Sequence, residues 1–150
     1  MNGREMMMAL ANVLLVDDEV PFIEAMTKRL TKRDLEVFSA NDGNEALKKL
    51  SEHRSIEVVI LDVKMPGMDG IETLTEIKKK FPLVEVIMLT GHATVESAIE
   101  GMKLGAFDYL MKPCDMDILM KKVNEAAGKK RNHEEKIIEA RMKEITSRRI

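Results

Sequence analysis

The chain has 150 residues, 45% of them hydrophobic and 33% charged, which leaves room for one packed domain with an appended helix and excludes a disordered tail, whose apolar content could not offset chain entropy. Aromatic residues make up 3% and Trp is absent, which disfavours stacking platforms for single-stranded nucleic acid and leaves the core to Val, Ile, Leu, Ala and many of the 13 Met residues. The net charge of −2 implies no polyanion partner, and the single Cys114 can build neither an internal disulfide nor a zinc site, which fits a reducing cytoplasm.

Residues 1–9 read as a ragged leader. The apolar run from Met6 to Val16 is shorter than the roughly 20 residues that a membrane span requires. It enters Asp17-Asp18-Glu19 without a small-residue cleavage pattern, so it reads as a buried strand rather than a signal peptide. From there short apolar runs, at 13–16, 35–38, 58–61, 86–89 and 107–110, alternate with amphipathic stretches. That is the pattern of repeated βα units over a parallel sheet. The third and fourth runs are continuously apolar, as strands covered on both faces should be.

The intervening stretches repeat apolar residues every three to four positions: Phe22, Ile23, Met26 and Leu30, then Ala46, Leu47 and Leu50, then Ile71, Leu74 and Ile77. The last two run through Val95, Ala98, Ile99 and Met102, and through Ile118, Leu119, Val123 and Ala126. Asp42, Thr94 and Asp115 stand where N-caps belong, and Gly105 follows the fourth helix as a C-cap glycine would. Pro66-Gly67 and Asp69-Gly70 mark a turn-rich loop whose part is positional. Right-handed crossovers favour an α/β doubly wound parallel sheet of flavodoxin-like (βα)5 type, strand order 2-1-3-4-5, with a C-terminal helical extension.

In such a sheet ligands bind beyond the carboxyl ends of the strands, near the switch point between strands 1 and 3. Asp17 and Asp18 follow the first strand and Asp62 follows the third, so three carboxylates are expected to converge there. At 4 Å and an effective dielectric near 20, each like-charge pair costs about 4 kcal/mol, so the cluster needs a cation or a strongly perturbed acid. Oxygen ligands without His or Cys favour Mg²⁺, which keeps waters and accepts phosphate oxygens. Thr90 ends the fourth strand and could bond a phosphoryl oxygen. Lys112-Pro113 follows the fifth and could pair an ammonium with it. Taken singly, the adjacent acids read equally as a helix start set against its dipole, Thr90 as a loop residue and Lys112 as a solvated lysine. Their conjunction at successive strand ends favours a site.

The segments Val13-Leu14-Leu15-Val16-Asp17-Asp18-Glu19, Leu61-Asp62-Val63-Lys64-Met65-Pro66-Gly67-Met68-Asp69-Gly70, Leu89-Thr90-Gly91-His92 and Asp108-Tyr109-Leu110-Met111-Lys112-Pro113 together resemble the receiver domains of bacterial two-component response regulators. The resemblance covers about residues 10–127, and the loops around Asp62 and Thr90 look similar to receivers attached to transcription-activator ATPases. It implies that Asp62 is the phosphoacceptor, that Asp18 and Asp62 ligate Mg²⁺ directly and Asp17 through water, and that the Lys64 backbone carbonyl completes the protein's share. It implies further that Lys112 pairs with the phosphoryl group, that the Lys112-Pro113 bond is often cis, and that Thr90 and Tyr109 are the switch pair.

The implied activity is that of a phosphorylatable regulatory domain rather than an enzyme. A sensor histidine kinase or phosphotransfer protein donates to Asp62, and the domain later clears itself at a rate tuned by flanking residues, here Lys64 and His92. The signal leaves through the face of helix 4, strand 5 and helix 5. Two rival classes are a Mg²⁺ phosphohydrolase of the haloacid-dehalogenase type and a non-phosphorylated interaction module. The first needs two acids one residue apart after its first strand, whereas here they are adjacent, and the second would tolerate loss of the acids.

Residues 128–150 differ in charge from what precedes them, with 8 basic and 4 acidic residues against 16 and 22 in residues 1–127. They read as a helical linker or an extension of the last helix. Ile138, Met142 and Ile145 could form a dimer seam, alongside a dimer through the helix 4, strand 5 and helix 5 face, but under three heptads is a weak coiled-coil pattern. No reading helix is recognisable, so direct nucleic-acid binding is disfavoured. A receiver fragment that has lost its output domain and a stand-alone receiver are both allowed.

Overall fold

A computed structural model describes residues 10–63, 68–91 and 94–148. Ten elements alternate along the chain: β1 (Ala11–Val16), α1 (Val20–Thr31), β2 (Leu35–Ala40), α2 (Gly43–Glu52), β3 (Val58–Leu61), α3 (Gly70–Lys80), β4 (Glu85–Thr90), α4 (Val95–Lys103), β5 (Asp108–Met111) and α5 (Met116–Arg148). The five strands form one parallel sheet in the order β2-β1-β3-β4-β5, as the alternation predicts.

Side chains alternate across the strands, and the two faces of the sheet feed separate cores. Val13 and Leu15 of β1, Val58 and Ile60 of β3, and Ile87 and Leu89 of β4 meet Ile23, Met26 and Leu30 of α1 and Leu119 and Val123 of α5. On the other face Leu14, Val16, Val59, Leu61, Val86 and Met88 meet Ala46, Leu50, Leu74 and Ile77 of α2 and α3. The central strands are buried along their whole length, which is why their sequences lack polar alternation. Methionine contributes less than its abundance suggests. Among the described residues only Met26 and Met88 are buried, while Met102, Met111 and Met142 face outward, because they fall on the solvent sides of their elements.

Helix ends follow their caps. The Asp42 side chain accepts from Glu45 N at 2.8 Å, and Glu45 returns the favour by accepting from Asn41 N at 3.0 Å. Thr94 and Ser97 form a reciprocal capping box at the start of α4, and Asp115 accepts from Asp117 N at 2.8 Å. Gly105 ends α4 at φ +103°, a conformation that L side chains resist. Asp69, read from sequence as part of a turn, is itself a cap and accepts from Glu72 N at 2.8 Å.

The basic segment after residue 127 continues α5 without interruption, giving a helix of 33 residues. Its passage along the sheet is secured at the amino ends of the strands. The Arg131 guanidinium donates to both carboxylate oxygens of Glu57, at 2.6 and 2.9 Å, and to the Leu10 carbonyl at 2.8 Å. Glu57 holds it with its proton more firmly bound than that of a free arginine. Glu85 is flanked by Lys78 at 3.2 Å and Lys129 at 3.4 Å. Both glutamates are buried, and buried carboxylates need such partners. No helix among the described residues is long and apolar enough to cross a membrane.

Candidate functional site

Parallel strands deliver their carboxyl ends to one rim of the sheet, where Asp17, Asp18, Asp62 and Lys112 come together. β1 runs into Asp17, whose backbone N–H donates to the Ala40 carbonyl at 3.1 Å. β3 runs into Asp62, whose N–H donates to the Val16 carbonyl at 3.0 Å. Carboxylate oxygens of Asp17, Asp18, Glu19 and Asp62 lie within 4.8 Å of one another. Asp17 and Asp62 are buried, and Asp18 and Glu19 are exposed. The two aspartates after β1 are not spent on capping. Glu19 is the N-cap of α1 and makes no side-chain cap bond, while Asp17 Oδ1 accepts from Glu19 N at 2.9 Å. That turn folds Glu19 back to the acid cluster, a membership the sequence reading did not anticipate.

Among the described residues, Lys112 is the cation that faces the four acids. Lys112 Nζ lies 2.6 Å from Asp17 Oδ2, 3.9 Å from Glu19 Oε1 and 4.0 Å from Asp62 Oδ2. It also sits over the Phe22 ring, 3.8 Å from the centroid, an attraction between ammonium and ring face that nothing in the local sequence announces. The Lys112–Pro113 peptide is cis. Gly70 opens α3 against the backbone of Asp62 and Val63, and a Cβ there would come to 2.5 Å from Val63 Cα, so only glycine allows α3 to begin this close to the end of β3.

The donor set suits a hard divalent ion. It is all oxygen, crowded, and charged beyond what one lysine can balance. Asp62 Oδ1 is buried and makes no hydrogen bond among the described residues, a group whose desolvation goes uncompensated unless a cation meets it. Mg²⁺ therefore fits the residues present. Lys64 and His92 lie outside the described residues.

Thr90, fully buried, is the last residue of β4. Tyr109 on β5 pairs with Met88 and is half-buried, its hydroxyl 2.8 Å from Ser97 Oγ. Ser97 carries no mark in the sequence beyond being a polar residue in the first turn of a helix. Cys114, beyond the cis peptide, is pushed up in pKa by burial and by the neighbouring Asp115, which leaves it a protonated, sluggish thiol at neutral pH.

The profile of the response regulator receiver domain matches residues 13–124. The transcriptional regulatory protein ZraR of Klebsiella oxytoca is 38% identical over 128 residues, which are 85% of this chain and 29% of that protein. A putative response regulator, NtrX-like, of Rickettsia bellii (strain RML369-C) is 38% identical over 131 residues, 84% of this chain and 27% of that protein. The chain thus spans less than a third of the length of these curated relatives. Among solved structures, a response regulator receiver domain protein from Clostridium thermocellum superposes with a TM-score of 0.77 at 40% identity, covering 81% of this chain and 97% of that one. With that profile covering most of its length, the chain belongs to the response regulator receiver domain family.

Proposed function

We propose that this receiver domain is a phosphoacceptor switch of a two-component system, with Asp62 as the residue that takes the phosphoryl group. The observation that carries the reading is the buried Asp62 carboxylate, one oxygen of which has no hydrogen-bond partner among the described residues while Lys112 stands 4.0 Å from the other. An Asp62 oxygen attacks the phosphorus of a phosphohistidine on a sensor histidine kinase or phosphotransfer protein. The P–N bond breaks, and the product is an acyl phosphate. Asp17, Asp18, Asp62 and the Lys64 backbone carbonyl would hold Mg²⁺, which would supply positive charge against the phosphoryl oxygens. Lys112 leaves Asp17 for the new phosphoryl group and neutralises part of its charge. The Thr90 hydroxyl bonds a phosphoryl oxygen.

Water later attacks the same phosphorus, breaking the P–O bond to Asp62 and releasing inorganic phosphate, so the domain resets itself and acts on no other substrate. The output is a repacking around Thr90 and Tyr109 that alters the face of α4, β5 and α5. Exposed apolar side chains on these elements, Val95, Ile99, Met102, Met111 and Ile118, support that face as the one a partner or a second copy covers. The relatives' designation as transcriptional regulatory proteins supports transcription as the controlled process, through an output domain attached to this receiver or a separate target. A cytoplasmic setting belongs to this reading.

The test is direct. Acetyl phosphate with Mg²⁺ is expected to add one phosphoryl group by intact mass, and Asp62→Asn to abolish the gain. An unchanged wild-type mass refutes the assignment.

A further inference from the structure

α4 is a nine-residue helix with a single buried residue, Gly101. Helices of this length are marginal without packing or caps, so the bonds at its first turn weigh heavily. Those bonds converge on one atom, Ser97 Oγ. It lies 3.1 Å from Thr94 N, 3.1 Å from Thr94 O and 3.0 Å from Thr94 Oγ1, and Tyr109 Oη approaches it at 2.8 Å from the neighbouring strand. A serine hydroxyl has one proton and two lone pairs. Four contacts draw on them: Thr94 N–H and the Thr94 hydroxyl donate to Ser97 Oγ, Ser97 donates to the Thr94 carbonyl, and either hydroxyl of the Ser97–Tyr109 pair can be the donor, so the tyrosine shares in the cap.

The ring has a matching seat. Ser97 and Gly101 are four residues apart and share a helix face. A Cβ built at Gly101 would lie 3.7 Å from Tyr109 Cδ2 and 3.8 Å from Met88 Cγ, ordinary contact distances, so the bare glycine face borders the ring. Hydroxyl and ring are thus held by two successive turns of α4.

We propose that Ser97 is a positioning residue for Tyr109, and that the rotamer of this tyrosine and the first turn of α4 form one thermodynamic unit. Moving the tyrosine loosens the cap, and fraying the cap releases the tyrosine, the two effects being equal by linkage. The regulatory meaning of this coupling rests on the phosphoacceptor reading, because that reading makes Tyr109 move. The coupling itself does not.

Amide hydrogen exchange at Ser97 and Ala98, whose N–H groups donate to Thr94 Oγ1 and Thr94 O, measures it. Rates are taken relative to those of β3, so that a general loss of stability cancels. Tyr109→Phe in the free protein is expected to speed exchange about fivefold, the factor of a typical net hydrogen bond. Ser97→Ala is expected to speed it at least as much, and adding Tyr109→Phe to Ser97→Ala to change nothing more. Gly101→Ala, which adds helix propensity and a contact with the ring, is expected to slow it. Equal effects of Tyr109→Phe with and without Ser97, no effect at all, or faster exchange in Gly101→Ala would overturn the proposal. Beryllofluoride with Mg²⁺ separates the two readings. Wild-type exchange in α4 is expected to respond and Tyr109→Phe to respond less. A wild type that ignores the phosphoryl analogue discredits the phosphoacceptor assignment and leaves the free-protein cycle to decide the coupling alone.

Discussion

Among the described residues, four carboxylates facing Lys112 make the site a reservoir of unfavourable charge. Asp17 and Asp62 are each only 2% exposed at the side chain, so water screens their repulsion poorly. A bound divalent cation should therefore stabilise the fold by mass action, about 2.7 kcal/mol at a hundredfold excess over its dissociation constant. The unfolding midpoint is expected to rise with Mg²⁺ and fall back with a chelator in the wild type. Asp62→Asn is expected to unfold at a higher temperature than wild type in chelator and to lose most of the Mg²⁺ response. A wild-type midpoint indifferent to Mg²⁺ would remove the metal from the account. The placement of Asp17, Asp18, Asp62, Thr90 and Lys112 was legible because each lies at or just beyond a strand end, and the βα alternation fixes where strand ends go. Glu19, Phe22 and Ser97 were not. Their parts depend on a turn that folds Glu19 back, on the path of the Lys112 side chain over a ring, and on which face of α4 meets β5, none of which is encoded within a few residues of them.

At the scale of elements, sequence patterning located every strand and helix but misplaced ends. β1 begins at Ala11 and β4 at Glu85, where a polar residue interrupts the apolar run. Glu57 and Glu85 are tolerated beside the sheet's amino ends because α5 returns Arg131 and Lys129 to them, partners 74 and 44 positions away that no local window contains. The same clasp explains why the basic segment is helix rather than loose linker: its cations are tied to the domain while its apolar Ile138, Met142 and Ile145 remain exposed. Arg131→Ala leaves the buried Glu57 with the Asn12 N–H alone among these partners. Since the guanidinium is half exposed, the expected loss is modest, about 1 kcal/mol by chemical denaturation, together with a fall in helical circular dichroism as the segment beyond residue 131 frays. Unchanged values for both would show that the ion pair secures nothing.

For the whole molecule, charge is divided between an acidic body and a basic helix, and among the described residues the exposed large apolar side chains other than Leu10 and Val20 fall in two places, the α4, β5 and α5 face and the far half of α5. Phosphorylation-dependent self-association follows if the first of these changes shape. Light scattering is expected to report a monomer for the free chain and a doubled mass with beryllofluoride and Mg²⁺, and equal masses in the two conditions would eliminate it. The clasp at Arg131 also gives α5 a mechanical character. Seventeen residues run beyond it to Arg148, a rod of about 25 Å at 1.5 Å per residue, anchored where Glu57 grips it. A tilt of about 10° at that fulcrum would sweep the tip through about 4 Å. A small adjustment of packing near the sheet would thus become, at the rod's end, a displacement large enough to make or break a contact.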